Sequence, residues 1–346
     1  MVATRYALHT ITTPKYFVFL NNHFSSIRKS LKNRKPTHTI FCSRANESQR
    51  KTLEKIVRPY ENVTIISNEN YANIGKARNV AFEETSAEWS IFFDADITLR
   101  ENYFDELERA IDCTKTKNVS ALTGCIGPSQ ASELGLLESL TDMRAFLRRV
   151  SIKKNVFNEL LKKECIEPLF KGNYEQYANS AISSLKKFEG YNVVCLHGCN
   201  SIIKTEDLKI LGGFDEESTS GEDRELAIRL VNNHQNIAFY PGLWVNHDYT
   251  FTLKDILRRK RIHGISYGEL RRKFSHDDLI KISASDFIKS FLKSLAPPFP
   301  FNSFLGRIYS VAAYVGYTYG ALSSEFFGLN PYKIKKGDWS YSNLEK

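Results

Sequence analysis

What is missing narrows this chain first. The opening residues, Met1 to Thr12, contain no long apolar core followed by a small-residue cleavage site. Neither a secretory signal nor an N-terminal anchor is therefore indicated, and a cytoplasmic protein is expected. Cysteines are few and scattered (Cys42, Cys113, Cys125, Cys165, Cys195 and Cys199), with no disulfide-framework spacing, which favours a reducing compartment and buried thiols. The spacing of Cys195 and Cys199 is a weak zinc signal. No internal repeat or low-complexity tract occurs, so solenoids and linkers are excluded. The longest uncharged run near the C-terminus, Ile308 to Ser324, has 17 residues and includes four Tyr, so it is too short and polar for a membrane span.

What remains is a chain of 346 residues, 42% hydrophobic and 25% charged, long enough to bury a full core. Short β-branched or aromatic runs alternate with helical patterns. Strands are expected at Tyr6 to Thr12, Thr37 to Cys42, Val63 to Ser67 and Trp89 to Phe93, with helices at Lys15 to Lys32, Glu47 to Val57 and Ala77 to Thr85. This βαβ rhythm predicts a doubly wound α/β sheet whose ligands lie at the carboxyl ends of its strands. A helix near Tyr103 to Lys115 and a strand near Val119 to Thr123 follow. Residues 128–191 read as a helical insertion, and order resumes with Val193 to Lys204, a turn at Gly212-Gly213, a helix from Asp223 to Asn233 and a strand at Ile237 to Tyr240.

The most informative feature is the apolar run Trp89-Ser90-Ile91-Phe92-Phe93 ending in Asp94-Ala95-Asp96. Residues i and i+2 of an extended strand point to one side, so Asp94 and Asp96 are expected to converge on one cation. Hard oxygen donors suit Mg²⁺ or Mn²⁺, whose other positions phosphate oxygens and water fill, so a diphosphate-bearing substrate is expected. Upstream, Asn73-Ile74-Gly75-Lys76-Ala77-Arg78-Asn79 puts a glycine, two cations and a helix start after a strand, a pattern suited to anion binding.

The net charge of +9 is concentrated between Lys254 and Lys273, beside an aromatic-rich segment from Phe287 to Phe327. That pairing suits either a membrane interface or helices packed on the catalytic domain. The basic stretch has no interleaved aromatics for stacking bases, so no nucleic acid is expected as a partner.

In order and spacing, Asn73-x-Gly75-x-Ala77-Arg78-Asn79, Phe92-Phe93-Asp94-Ala95-Asp96, Gly198-Cys199-Asn200, Gly212-Gly213-Phe214-Asp215-Glu216 and Gly221-Glu222-Asp223-Arg224-Glu225-Leu226 resemble glycosyltransferase family 2. The resemblance covers roughly residues 6 to 270. It implies a GT-A fold, with a Rossmann-like, mostly parallel central sheet flanked by helices, occupying residues 1–270. A helical, aromatic-rich appendage would follow at 271–346, and the insertion at 128–191 would face the acceptor.

It further implies an inverting, metal-dependent transferase that moves a sugar from a nucleotide diphosphate sugar to a hydroxyl of a glycan or lipid-linked acceptor. The setting would be polysaccharide or glycolipid synthesis, peripheral on the cytoplasmic face of a membrane. By position, Asp94 and Asp96 match the DXD motif, with Asp96 the stronger metal ligand, and His247 matches a histidine that completes metal or diphosphate coordination. Asp223, in the ED pair with Glu222, corresponds to the general base. Thr10, Ser43, Arg44, Gly75, Lys76, Arg78, Asp94, Ala95 and Asn200 fall where the nucleotide sugar is held, and Arg258 and Arg261 lie in a basic helix suited to phosphate or lipid.

Two segments depart from the family pattern. Cys42-Ser43-Arg44-Ala45 replaces the usual acidic base-reading stretch, and His9 to Pro14 matches the first-strand loop only loosely. The nucleobase is therefore open. Two other readings stay in play. A nucleotidyltransferase would release pyrophosphate, and a catalytically silent sugar-nucleotide or membrane-binding protein would release nothing.

Overall fold

A computed structural model describes residues 5–69, 73–115, 117–149, 163–218, 220–274, 308–309 and 311–319. The chain begins β1 (Tyr6–Thr12), α1 (Phe17–Leu31), β2 (His38–Ser43), α2 (Glu47–Val57), β3 (Val63–Asn68), α3 (Ile74–Phe82), β4 (Trp89–Asp94), β5 (Ile97–Leu99) and α4 (Tyr103–Thr114). It continues β6 (Val119–Thr123), β7 (Ile126–Ala131), α5 (Glu133–Arg149), α6 (Lys163–Phe170), α7 (Tyr174–Leu185), β8 (Asn192–Val193) and β9 (Asn200–Lys204). Last come α8 (Thr205–Ile210), α9 (Glu222–Asn232), β10 (Asn236–Phe239), β11 (Val245–Tyr249) and α10 (Leu253–Lys273).

Local chemistry explains several of these boundaries. Asn46 and Gln49 form a reciprocal capping box that starts α2, and Leu53 and Val57 are its buried stripe. Asn73 caps α3 by accepting from the Lys76 amide at 2.7 Å. Both glycines of the Gly212-Gly213 turn adopt positive φ (76° and 79°), which a residue with a Cβ reaches only with strain.

Among the described residues eight strands form one sheet in the order β3-β2-β1-β4-β9-β6-β10-β8. β1 to β4 run parallel, β9 enters antiparallel between β4 and β6, and β10 returns parallel to β6. β4 is therefore a central strand covered on both faces, which is why its sequence is continuously apolar rather than alternating. Phe93 packs with Tyr6, Trp89, Tyr103 and Phe104 on one face. Phe92 meets Phe82 and Phe214 on the other, at ring-centroid distances of 6.1 and 4.9 Å. Each such buried ring stabilises the fold by about 1.5–3 kcal/mol.

A second sheet, β5-β11-β7, starts just after Asp96. Neither β5, β7 nor β11 is anticipated from the sequence, and β7 occupies the start of the stretch read as a helical insertion. The rest of that stretch is helical where described (α5, α6, α7), with residues 150–162 outside the described residues. Cys42, Cys125, Cys165, Cys195 and Cys199 are buried thiols and Cys113 is exposed.

The chain divides into two compact units. One comprises residues 1–131, 139–216 and 222–249, and contains both sheets; the other comprises 132–138, 217–221 and 250–346. In the second, Thr252 and Asp255 form a capping box that starts α10. Leu137, Ile256 and Tyr309 form its apolar cluster, and the buried Glu138 carboxylate accepts from the Tyr309 hydroxyl at 2.6 Å and pairs with Lys260 at 2.8 Å. The basic stretch is thus only partly a solvated face. Lys260 is buried and Arg259 approaches Glu138 to 3.5 Å, while Lys254, Arg272 and Lys273 are exposed. No helix among the described residues is long and apolar enough to cross a membrane. Most of the aromatic segment from Phe287 onward lies outside the described residues.

Candidate active site

β4 delivers Asp94 to the carboxyl edge of the large sheet. The register pairs Ile11 with Asp94 and Thr12 with Cys42, so Ser43 and Arg44 at the end of β2 share that edge. The chain then turns at Ala95-Asp96 before β5 begins. This corrects the expectation that strand alternation aligns the two aspartates: the strand stops at Asp94, and the turn presents Asp96. The turn is tied down from behind, where the Asp248 amide donates to the Asp96 carbonyl at 3.4 Å. The Asp96 carboxylate faces His247, whose Nε2 lies 3.5 Å from Oδ2. His247 sits on β11 itself rather than after a strand, and its ring leans on Tyr249.

Arg78 organises the other carboxylates. Although it is a helix residue it is 1% exposed, and its guanidinium reaches Glu222, Asp94 (3.3 Å) and the Gly198 carbonyl (2.8 Å). The Gly198 amide in turn donates to Asp223 Oδ2 at 2.8 Å, and the Arg224 amide donates to Oδ1 at 2.8 Å. A Cβ at position 198 would lie 2.8 Å from the Arg78 guanidinium, so any larger residue there would have to push that guanidinium aside. Burial pushes the Glu222 carboxyl up to about 7, opposed by Arg78 and reinforced by Asp223. Burial also raises Asp94, again opposed by Arg78 and reinforced by Asp96. Two carboxylates, Glu222 and Asp94, thus share one buried cation.

The glycine- and asparagine-bearing motif on α3 has a structural partner. A Cβ at Gly75 would overlap the carbonyl oxygen of Asp215. The Asn73 side chain donates to the Glu216 carbonyl. Asn79 donates to the Phe214 carbonyl at 2.9 Å and accepts from the Phe214 amide at 2.8 Å. These residues bind the Gly213 to Glu216 turn.

Several assignments therefore change. Arg78 is buried against carboxylates and cannot meet a phosphate, and Gly75 is small because Asp215 crosses it. Thr10 is fully buried in β1 between His23 and His38. Asn200 is fully buried, accepting from Tyr103 Oη at 2.6 Å and donating to the Leu243 carbonyl at 2.9 Å. Both side chains are taken up by protein partners. Ala95 is 2% exposed and is the spacer of the turn. Lys76 is exposed, Ser43 buried, and Arg44 adopts a left-handed φ of 62° at the sheet edge. Glu222 is 3% exposed and faces Arg78, whereas Asp223 beside it is half-buried. Sequence reasoning missed the Gly198 amide and took Arg78 for a nucleotide contact, because its partner Glu222 lies far along the chain.

For a divalent ion the donor set offers Asp96 and His247. Among the described residues no three His, Cys, Asp or Glu side chains converge to cage one. His247 Nδ1 is buried and has no hydrogen-bond partner among them. Two protein donors with open positions suit a cation whose coordination is completed by phosphate and water.

The large, mostly parallel sheet flanked by helices, with acidic residues at the end of its central β4, is a GT-A fold. Among solved structures, the mannosyltransferase PcManGT from Pyrobaculum calidifontis, determined in complex with GDP-Man and Mn²⁺, is similar in fold. Its TM-score is 0.56 at 13% identity, over 92% of this chain and 88% of that one. The glycosyl transferase family 2 model matches residues 29–130 of this chain. A pre-mycofactocin glycosyltransferase from Mycobacterium tuberculosis is 29% identical over 163 residues, 42% of this chain. The match spans 35% of that relative's length.

Proposed function

We propose that this chain is an inverting glycosyltransferase that moves a sugar from a nucleotide diphosphate sugar to a hydroxyl of a glycan or lipid-linked acceptor. The observation that carries the reading is the join between the two acidic motifs. Arg78 binds Asp94 and Glu222, and it holds the Gly198 carbonyl while the amide of the same residue holds Asp223. Donor-side and acceptor-side carboxylates are thereby fixed within one hydrogen-bond network.

Each residue then has a defined task. Each Asp223 oxygen accepts one backbone N–H, which orients the carboxylate and leaves lone pairs free. It accepts the proton of the acceptor hydroxyl as that oxygen attacks the anomeric carbon, and the nucleoside diphosphate departs with the electrons of the broken bond. One displacement inverts the anomeric centre. Asp96 and His247 would hold Mg²⁺ or Mn²⁺, with Asp94 beside them. Such a cation, when bound, supplies Lewis-acid stabilisation of the departing diphosphate. Glu222 is a partner of Arg78 and not a proton acceptor for substrate. Arg44, Ser43 and Lys76, near the carboxyl edge, are the residues left to contact the nucleotide.

The exposed cations Lys254, Arg272 and Lys273 of α10 suit anionic headgroups, which supports an acceptor at a membrane surface. The deciding experiment incubates purified protein and Mn²⁺ with a panel of nucleotide sugars and follows the nucleotide product. Release of nucleoside diphosphate that Asp223→Asn abolishes supports the reading. Release of pyrophosphate would establish a nucleotidyltransferase instead, and absence of turnover with every donor would favour a binding protein.

A further inference from the structure

Thr10, displaced from the donor site by its burial, lies at the centre of another arrangement. Its hydroxyl is 3.0 Å from His23 Nε2 and 2.8 Å from His38 Nε2, while His23 Nδ1 lies 2.8 Å from the carbonyl oxygen of Ile97. Thr10 and His23 are fully buried, and His38 is 5% exposed. The four groups come from β1, α1, β2 and β5, so the chain of contacts crosses the sheet and ends one residue beyond Asp96.

The proton positions follow from the donor and acceptor inventory. Burial lowers His23 to about 4, against smaller opposing effects from the Ile97 carbonyl and the Asp96 charge, and it lowers His38 well below the ordinary histidine range. Both rings are neutral near pH 7. A carbonyl oxygen only accepts, so His23 carries its proton on Nδ1 and leaves Nε2 bare. A bare Nε2 needs a donor, and the Thr10 hydroxyl supplies its only proton there. His38 must then approach Thr10 with a protonated Nε2. No other neutral assignment satisfies all three contacts.

We infer that His38, Thr10 and His23 form a hydrogen-bond relay of fixed direction that holds the Ile97 carbonyl and thereby sets the position of Asp96. They are positioning residues: none meets substrate, and their effect passes through the backbone of the β4–β5 turn. The inference rests on the proposed role of Asp96 as the metal ligand. A turn of two residues between β4 and β5 has little pairing of its own, and the relay fixes the β5 side of it while the Asp248 amide holds the Asp96 carbonyl. The polar side chains buried between α1 and the sheet thus gain a purpose beyond satisfying one another.

Two measurements test this. In full-length protein labelled with ¹⁵N-histidine, long-range ¹H–¹⁵N correlation should show His23 protonated on Nδ1 and His38 on Nε2 at neutral pH. The opposite tautomer in either ring, or an imidazolium, overturns the relay, and this readout needs no variant to fold. In the second, Mn²⁺ is titrated into protein with UDP in one arm and GDP in the other. Thr10→Val, which keeps the side chain's shape and removes the hydroxyl, should weaken Mn²⁺ binding about 10–100-fold, the range for loss of a supporting hydrogen bond behind a metal ligand. Thr10→Ser, which restores the hydroxyl, should recover most of that loss, which a purely volumetric role of Thr10 would not produce. Undiminished Mn²⁺ binding by Thr10→Val, while Asp96→Ala loses it, refutes the relay's role and leaves the metal assignment standing. Undiminished binding by Asp96→Ala removes the metal assignment and the positioning role with it.

Discussion

Replacing Arg78 by methionine tests the electrostatic core of the site. The guanidinium is 1% exposed and is the cation that Asp94 and Glu222 share. Methionine fills much of the space but leaves the buried Glu222 and the partly exposed Asp94 without their counter-ion, and removing one partner of a buried pair such as Arg78–Glu222 costs about 3–5 kcal/mol. For a unit of this size the melting temperature should fall by about 6–20 °C, taking about 2–4 °C per kcal/mol.

The pH dependence separates this from a simple packing defect. The folded pKa of Glu222 is raised to about 7 from its ordinary 4.5, with burial the main cause and Arg78 opposing it. A raised carboxyl binds its proton more tightly in the folded state, so its contribution to stability is fully present below the unfolded value and is lost as pH rises towards the folded one. The slope is about 1.4 kcal/mol per pH unit for one proton. Without Arg78 the folded value rises further, so the loss continues above pH 7, where in the native protein it has ended. Thermal unfolding should therefore show a larger deficit for Arg78→Met at about pH 8 than at about pH 5.5. Adding Glu222→Gln to Arg78→Met, which removes the charge that lost its partner, should recover more than half the deficit at the higher pH. Equal deficits at both pH values, or no recovery in the double variant, would refute the charge argument and leave only the loss of packing.

Asp223→Asn should lower turnover by about 10²–10⁴-fold while a donor nucleotide sugar still raises the melting temperature as it does for the native protein. Asp96→Ala should remove the Mn²⁺-dependent part of nucleotide binding, and His247→Ala should weaken it, both read by calorimetric titration with and without the metal. Gly75→Ala should destabilise by about 1–3 kcal/mol, because its methyl group meets the Asp215 carbonyl, and the urea midpoint should fall without a change in slope. Asn79→Ala strips the partners from both backbone groups of Phe214, a cost of about 1–3 kcal/mol, and should lower turnover through the displaced turn.

The parallel half of the sheet was the legible part of the chain. β1 and α2 occupy the expected residues, since an apolar run bounded by turn residues and a capping signal are both local chemistry. β5, at three residues, is shorter than any periodicity can reveal. β11 was hidden because Val245-Asn246-His247-Asp248-Tyr249 mixes polar and apolar residues, and its strand character depends on register with β5 and β7. At the site, the acidic residues were legible because each closes a strand or opens a helix, where a buried element reaches the surface. Thr10 and Asn200 misled for the same physical reason as each other. Both are polar residues of strands covered on both sides, and in such a place hydrogen bonds to neighbouring side chains answer the need that a ligand would otherwise meet.

The two motifs that look most like ligand loops serve each other. Asn73, Gly75 and Asn79 present an acceptor, a gap and an amide to the backbone of Phe214, Asp215 and Glu216, and that backbone leads towards Glu222 and Asp223. Arg78, on the same helix, then reaches Glu222 and Asp94 together. One short helix therefore holds the Gly213 to Glu216 turn through its asparagines, and Glu222 and Asp94 through its arginine. A phosphate-binding role for Arg78 would require it to leave Glu222 and Asp94, a separation that costs more than an exposed phosphate contact returns. The helix is better explained as the part that keeps two acidic motifs, distant along the chain, in one fixed relation.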